Sequence, residues 1–194
     1  MKQMTRPLGI LLVCWAILTA GCSNDTGNNT MMPNVTGSNG EVLLVMNDPA
    51  WEDTAGRKLE SALEYVYPGL PQAEPYFDIT RIEHDAFGKL FRTNRNIVHV
   101  EISPDIEPKF AYKRDVWAHP QAVVELKAND KAQLLKMLEG RGKKVRTFFH
   151  DTEIRRLLDR NKRYMENSVS EKVVSHHHVN IIVPKGYRMA TDTS

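Results

Sequence analysis

Cysteine is scarce in this chain. The 194 residues contain two cysteines, Cys14 and Cys22. Cys14 lies inside an apolar segment, and Cys22 follows the small residues Thr19, Ala20 and Gly21 directly. If the chain is cut before Cys22, no second thiol remains, which excludes a disulfide within the remaining chain and a multi-cysteine metal site.

The N-terminal apolar segment is too short to cross a membrane. Residues 8–18, LGILLVCWAIL, follow Lys2 and Arg6, whereas a spanning helix needs about 20 apolar residues. A charged start, a short apolar stretch and small residues describe a secretory signal. With Cys22 next, the segment resembles a bacterial lipobox, although Thr19 stands where leucine is commonest. We therefore predict a signal peptide over 1–21, cleavage after Gly21 and a lipid on Cys22; the alternative is an ordinary secretory signal.

Familiar catalytic motifs are missing. The sequence has no GxxxxGK[ST], HExxH or GxSxG, and no GxGxxG after a strand. The stretch GRGKK at 140–144 has the wrong spacing for a phosphate loop and predicts a helix break instead. We therefore expect no cofactor, and a non-enzymatic protein is favoured over an enzyme.

The chain also lacks a strong excess of positive or negative charge. The whole chain carries +2, and Lys2 and Arg6 leave with the signal, so nucleic acid is not an expected partner. Acidic residues concentrate in 41–78 and basic residues in 141–163. The basic segment could face an anionic envelope polymer or lipid head group, or the two segments could complement each other within the fold.

The remaining composition predicts a tether and one domain. Residues 22–40 are rich in Asn, Gly, Ser and Thr, which is typical of a flexible linker. Apolar patterns predict strands at 42–46, 76–82, 96–102, 109–117, 122–126 and 179–183, with the fourth at an edge. They predict helices at 49–66, near 85–91, and from Asp130 onward with a break at Gly140 or Gly142. We predict a single α+β domain over 41–194, with a mostly antiparallel sheet and helices packed on one face.

Histidines are the main candidates for chemistry. If the run 176–178 enters a strand, His176 and His178 share a face and could bind a metal ion such as zinc. His84 and His99, together with this run, are candidates for an enzymatic site. The alternative is that these histidines are solvated or lie at the border of the core.

Five stretches together resemble an uncharacterised lipoprotein family, DUF4837. They are GEVLLVMNDPAW (40–51), YPGLPQAEPYFDITRI (67–82), FRTNRNIVHVEI (91–102), VWAHPQAVVEL (116–126) and IIVPKGYRMA (181–190). The resemblance implies an exported lipoprotein without an assigned activity. It also implies that the chain corresponds to the N-terminal half of the family pattern, truncated before a second half.

These observations give one functional expectation and one alternative. The expectation is an envelope lipoprotein that is anchored through Cys22, faces the periplasm from the outer membrane, and binds a partner or supports envelope assembly. The alternative is an enzyme or metal-binding protein that acts on an envelope substrate through its histidines.

Overall fold

The apolar runs form the strands of one sheet. The computed structural model describes residues 31–191, so the predicted signal peptide and Cys22 lie outside the described residues. The strands are β1 (Glu41–Val45), β2 (Asp78–Ile82), β3 (Asn96–Ile102), β4 (Lys109–Arg114) and β5 (Ala122–Ala128). Their order across the sheet is β2-β1-β3-β5-β4.

The sheet is mixed and mostly parallel. β1 pairs in parallel with β2 and with β3, and β3 pairs in parallel with β5. The β4–β5 pair is antiparallel and places β4 at an edge, as predicted. The α+β prediction is confirmed, but the prediction of a mostly antiparallel sheet was wrong. Both faces of β1 and β3 are buried, and strands of that kind favour parallel pairing.

Helices precede and follow the strands along the chain. They are α1 (Asp48–Trp51), α2 (Thr54–Leu63), a 3-10 turn (His84–Ala86), α3 (Lys89–Arg92), α4 (Lys131–Leu138), α5 (Gly142–Arg163) and α6 (Asn167–His177). The single helix predicted after β1 is divided at Asp53, which caps α2. A Cβ on Gly56 would clash with the Trp51 carbonyl oxygen, so only glycine permits this close approach. The predicted break near Gly140 is confirmed, with φ +66° at that residue.

Two apolar layers cover the two faces of the sheet. Alternate residues of β1, β3 and β5, such as Leu44 and Val98, pack with buried side chains of α2, α4 and α5. The opposite face, with Leu43 and Ile97, packs under Phe87 and its neighbours from the connections between strands. α2, α4 and α5 thus pack on one face of the sheet, and the opposite face is covered by residues of the connections.

The first described residues are bonded to the domain. Thr36 donates to the Thr93 carbonyl at 2.8 Å and accepts from the Arg95 N–H at 3.0 Å. His119 donates to the Pro33 carbonyl at 2.9 Å. Residues 33–40 were assigned to the tether on composition, but main-chain hydrogen bonds do not require apolar side chains.

The C-terminal part departs most from expectation. The strand predicted over 179–183 was wrong: the run of histidines ends α6, and His178 caps it with φ +55°. A single bridge between Met165 and Pro184 is the β-type pairing in this region. The prediction failed because a short apolar run does not by itself distinguish a strand from a packed loop.

Candidate functional site

A cleft lies next to β1, the strand at which the order of strands across the sheet changes direction. From β1 the chain adds β2 on one side and β3 on the other, and ligands of parallel sheets commonly bind at the carboxyl ends of strands flanking such a point. A cavity of about 520 Å³ lies there. We name it the carboxyl-edge cleft; its lining includes Met46, Asn47, His84, residues 100–103 and Lys131.

His84 is oriented in the cleft by Asn47. Asn47 follows β1, and its Oδ1 lies 2.7 Å from the His84 ring Nδ1 and 3.3 Å from the His84 main-chain nitrogen. Because this oxygen accepts hydrogen bonds and cannot donate, it selects the tautomer with the proton on Nδ1. The His84 Nε2 then carries a lone pair that can accept a hydrogen bond or a proton.

The same Nε2 is buried and has no hydrogen-bond partner among the described residues. A buried polar atom without a partner costs about 1–3 kcal/mol. In native structures such an atom calls for an explanation, for example a functional role or a group that completes it. A hydrogen-bond donor on a bound molecule would complete this one after a small movement of the ring or its neighbours, because the atom is closed to water.

His99 lies beneath His84. The ring centroids are 5.1 Å apart in an edge-to-face arrangement, and Phe87 packs at 5.4 Å from His99. Burial, and then the nearby His84, lower the pKa of His99 below its usual value. A neutral His99 at neutral pH adds no positive charge beneath the cleft.

The other charged groups of the cleft are paired. Lys131 Nζ lies 3.0 Å from Asp53 Oδ2, and Glu101 Oε2 lies 3.1 Å from Lys127 Nζ. The salt bridge to Lys131 helps to hold the pKa of Asp53 below its ordinary value, after the larger effect of the hydrogen bond from the Thr54 N–H. The cleft therefore presents polar groups without a strong net charge, which suits a neutral or zwitterionic molecule.

The comparison with protein families matches residues 35–162 to a domain of unknown function, DUF8532. The chain belongs to the DUF8532 family. The resemblance to DUF4837 was therefore wrong, and the expectation of a missing second half, which depended on it, is withdrawn. The comparisons with curated proteins and with solved structures give no match.

The DUF8532 match includes the whole carboxyl-edge cleft but not α6. His176 and His178 therefore lie outside the matched region. They occupy the last turn and the cap of a helix, where residues two apart do not face the same side. Within residues 31–191, no three His, Cys, Asp or Glu side chains gather in a way that could hold a metal ion.

Of the histidines considered from sequence, the structure brings His84 and His99 together. Two other histidines lie apart from this pair: His119 contacts Asp115 at 3.1 Å, and His150 packs on Tyr76 with ring centroids 5.6 Å apart. Asn47 was missed as a site residue. Its signal was its position directly after a buried strand, where parallel sheets commonly carry their ligand-binding groups.

The lipid-anchor prediction concerns Cys22, which is outside the described residues. None of the helices in the described part of the chain combines the length and the apolar content that crossing a bilayer requires.

Proposed function

We propose that this DUF8532 protein is a lipid-anchored binding protein of the bacterial cell envelope, and that its carboxyl-edge cleft holds a small polar molecule. The observation that carries the proposal is the oriented His84 ring, whose buried Nε2 lacks a partner at a topological switch point. The ligand would be neutral or zwitterionic and would donate a hydrogen bond to Nε2. Asn47 would hold the ring in the accepting tautomer.

The anchor part of the proposal is supported by the signal pattern and by Cys22 directly after Gly21. The membrane is the partner it implies, and the outer membrane facing the periplasm is the location we favour. Two acyl chains or more on Cys22 would anchor the protein stably. An envelope protein or an anionic polymer would be a further partner through surfaces away from the cleft, since the cleft itself carries little net charge.

Replacing Cys22 tests the anchor. In cells that express Cys22→Ala, the protein should move from the membrane fraction to the soluble periplasmic fraction while its thermal unfolding stays unchanged. Cys14→Ala is the matched control, because Cys14 leaves with the signal and the variant should remain membrane-bound. Membrane retention of a Cys22→Ala chain that has lost residues 1–21 would contradict the anchor.

Ligand titration tests the cleft. N-acetylglucosamine offers hydroxyl and amide donors without charge, and its addition to the full chain should give saturable shifts in the NMR signals of Asn47, His84 and Ser103. His84→Phe should weaken binding roughly tenfold, because it removes the acceptor of a hydrogen bond. His119→Phe, which changes an exposed histidine outside the cleft, should leave binding unchanged.

Two results would change the proposal. If His84→Phe binds the sugar as tightly as the natural chain, or if no signal from the cleft saturates, the cleft is not the binding site for this class of molecule. The oriented His84 ring also favours one second function, an enzyme in which Nε2 acts as a general base. Conversion of the probe, detected by mass spectrometry and abolished in His84→Phe, would assign that function instead.

A further inference from the structure

A second cavity lies at the opposite edge of the sheet. Its volume is about 410 Å³, and residues next to the amino ends of β1, β2 and β3, namely Gly40, Phe77 and Arg95, contribute to its lining. The other side is formed by α5, including Glu153, Leu157 and Arg160. We name it the amino-edge cavity. It shares no lining residue with the carboxyl-edge cleft.

Two guanidinium groups share one carboxylate beside this cavity. Glu153 Oε2 accepts from Arg95 at 2.7 Å, and Glu153 Oε1 accepts from Arg156 at 2.7 Å. All three side chains are largely buried, with exposed fractions of 13% for Arg95, 16% for Glu153 and 7% for Arg156. One positive charge is therefore left over within the cluster, in a region of poor solvation where charges interact strongly.

The two arginines have different roles. Arg156 donates to Asn96, Glu153 and the main-chain oxygens of Arg95 and Pro120, so it links α5 to the sheet. Burial lowers the pKa of Arg156 to about 10, which still leaves it charged at neutral pH.

Arg95 has hydrogen-bonding capacity left. It donates to Asn39 and Glu153, and its Nε is buried with no partner among the described residues. A guanidinium offers five N–H donors.

The remaining lining combines a further cation with apolar surface. Arg160 is exposed at the cavity and forms no ion pair in the described part of the chain. Tyr67 and Tyr76 stack with ring centroids 3.6 Å apart and an interplanar angle of 15°, and they form an aromatic wall. Leu157 adds an aliphatic surface that is 42% exposed.

We propose that the amino-edge cavity binds a small carboxylate with an aromatic or aliphatic body. The carboxylate would face Arg95 and Arg160, because a guanidinium fork matches the two oxygens of a carboxylate. The body would lie along Tyr67, Tyr76 and Leu157. This site is independent of the proposed carboxyl-edge function and uses different residues.

Phenylacetate is the probe, and phenylacetamide is its neutral counterpart of nearly the same shape. In NMR titrations of the full chain in a non-ionic detergent, phenylacetate should produce saturable shifts at Gly40, Tyr67 and Arg95. It should bind at least roughly tenfold more tightly than phenylacetamide, since charge-assisted hydrogen bonds are about twice as strong as neutral ones. A short peptide ending in phenylalanine forms a third arm, and tighter binding of the peptide would identify a chain terminus as the source of the carboxylate.

The helix supplies a matched pair of variants. Leu157→Asp places a negative charge in the cavity wall and should weaken phenylacetate binding by roughly tenfold or more. Leu158→Asp is the control, because Leu158 is equally exposed at 42% but does not line the cavity. Arg160→Gln should likewise weaken phenylacetate binding a few-fold, as expected for an exposed charge. Arg155→Gln should leave it unchanged, because Arg155 does not line the cavity.

The proposal is overturned by any of three results. These results are the absence of a saturable shift at the cavity with phenylacetate, equally tight binding of phenylacetamide, and unchanged phenylacetate binding in Leu157→Asp. Because both aspartate variants change exposed residues, their unfolding curves should match, which separates lost binding from lost folding.

Discussion

The two edges of the sheet carry different chemistry. At the carboxyl edge, Lys131 and Glu101 each have an opposite charge as partner, and the unpaired polar atom belongs to a histidine. At the amino edge, Arg95 and Arg156 share Glu153, and the unpaired atom belongs to a guanidinium. One edge therefore favours a neutral or zwitterionic ligand, and the other favours an anion.

The two edges differ in charge although the same strand, β3, begins at the amino edge and ends at the carboxyl edge. Between its ends, Ile97, Val98 and Val100 are buried in the two apolar layers and serve the fold. Arg95 and Asn96 lie at its start, and Glu101 lies near its end. These chemical differences lie at strand ends because the interior of a sheet that is covered on both faces disfavours unpaired polar groups.

Removal of the shared charge at the amino edge should have the largest effect on stability. Glu153→Gln leaves Arg95 and Arg156 buried without a counter-charge, and breaking a buried pair in this way costs about 3–5 kcal/mol. Urea unfolding should show that loss. Asp159→Asn, an exposed change on the same helix, should stay within about 0.5 kcal/mol of the natural chain. A loss below about 1 kcal/mol for Glu153→Gln would show that the cluster is well solvated.

Loss of the Asn47 side-chain amide, which orients His84 at the carboxyl edge, should lower stability less and should change the NMR signals of the His84 ring. Asn47→Ala removes the oxygen that contacts His84 at its ring and at its main chain, at a cost of about 1 kcal/mol. Nitrogen NMR of the imidazole should show the proton shifting away from Nδ1. Asn39→Ala, which removes a partner of Arg95 at the other edge, should leave the His84 tautomer as it is. An unchanged tautomer in Asn47→Ala would mean that Asn47 does not orient the ring.

Local sequence signals predicted much of the fold. The bounds of β3 were predicted from its apolar run, and Asp130 caps α4 by accepting from the Gln133 N–H at 2.7 Å. The pairing direction was predicted wrongly, as mostly antiparallel, since it depends on which distant strands meet. The continuous apolar run of β1, which is typical of a strand buried on both faces, was the available sign of parallel pairing, but the succession of strands was given more weight.

The candidate sites were less accessible from sequence. His84 and His99 were candidates from the sequence because of their residue type. No spacing in the sequence, however, indicates that Asn47 contacts a histidine 37 residues further along the chain. The contact between Arg95 and Glu153 spans 58 residues and depends on α5 crossing the amino ends of the strands. Only the Glu153–Arg156 pair, at i and i+3 on one helix, had a local signature.

The smallest expected effect is a pH dependence of the free energy of unfolding that comes from His99, near the carboxyl edge. The pKa of His99 is lowered in the folded chain, so the unfolded chain binds the proton more readily, and stability should fall as the pH drops from about 6.5 toward that lowered pKa. The groups that act on His99 are His84, Glu101, Glu125 and Lys127. Burial raises the pKa of Glu125, but the hydrogen bonds and charges of Lys113 and Lys109 together lower it below its usual value, so its own contribution falls below this window. The urea midpoint should fall as the pH drops across this window in the natural chain, and this slope should be lost in His99→Phe. His178→Phe, a change at the exposed end of α6, should keep the slope. An unchanged slope in His99→Phe would assign the dependence to another group.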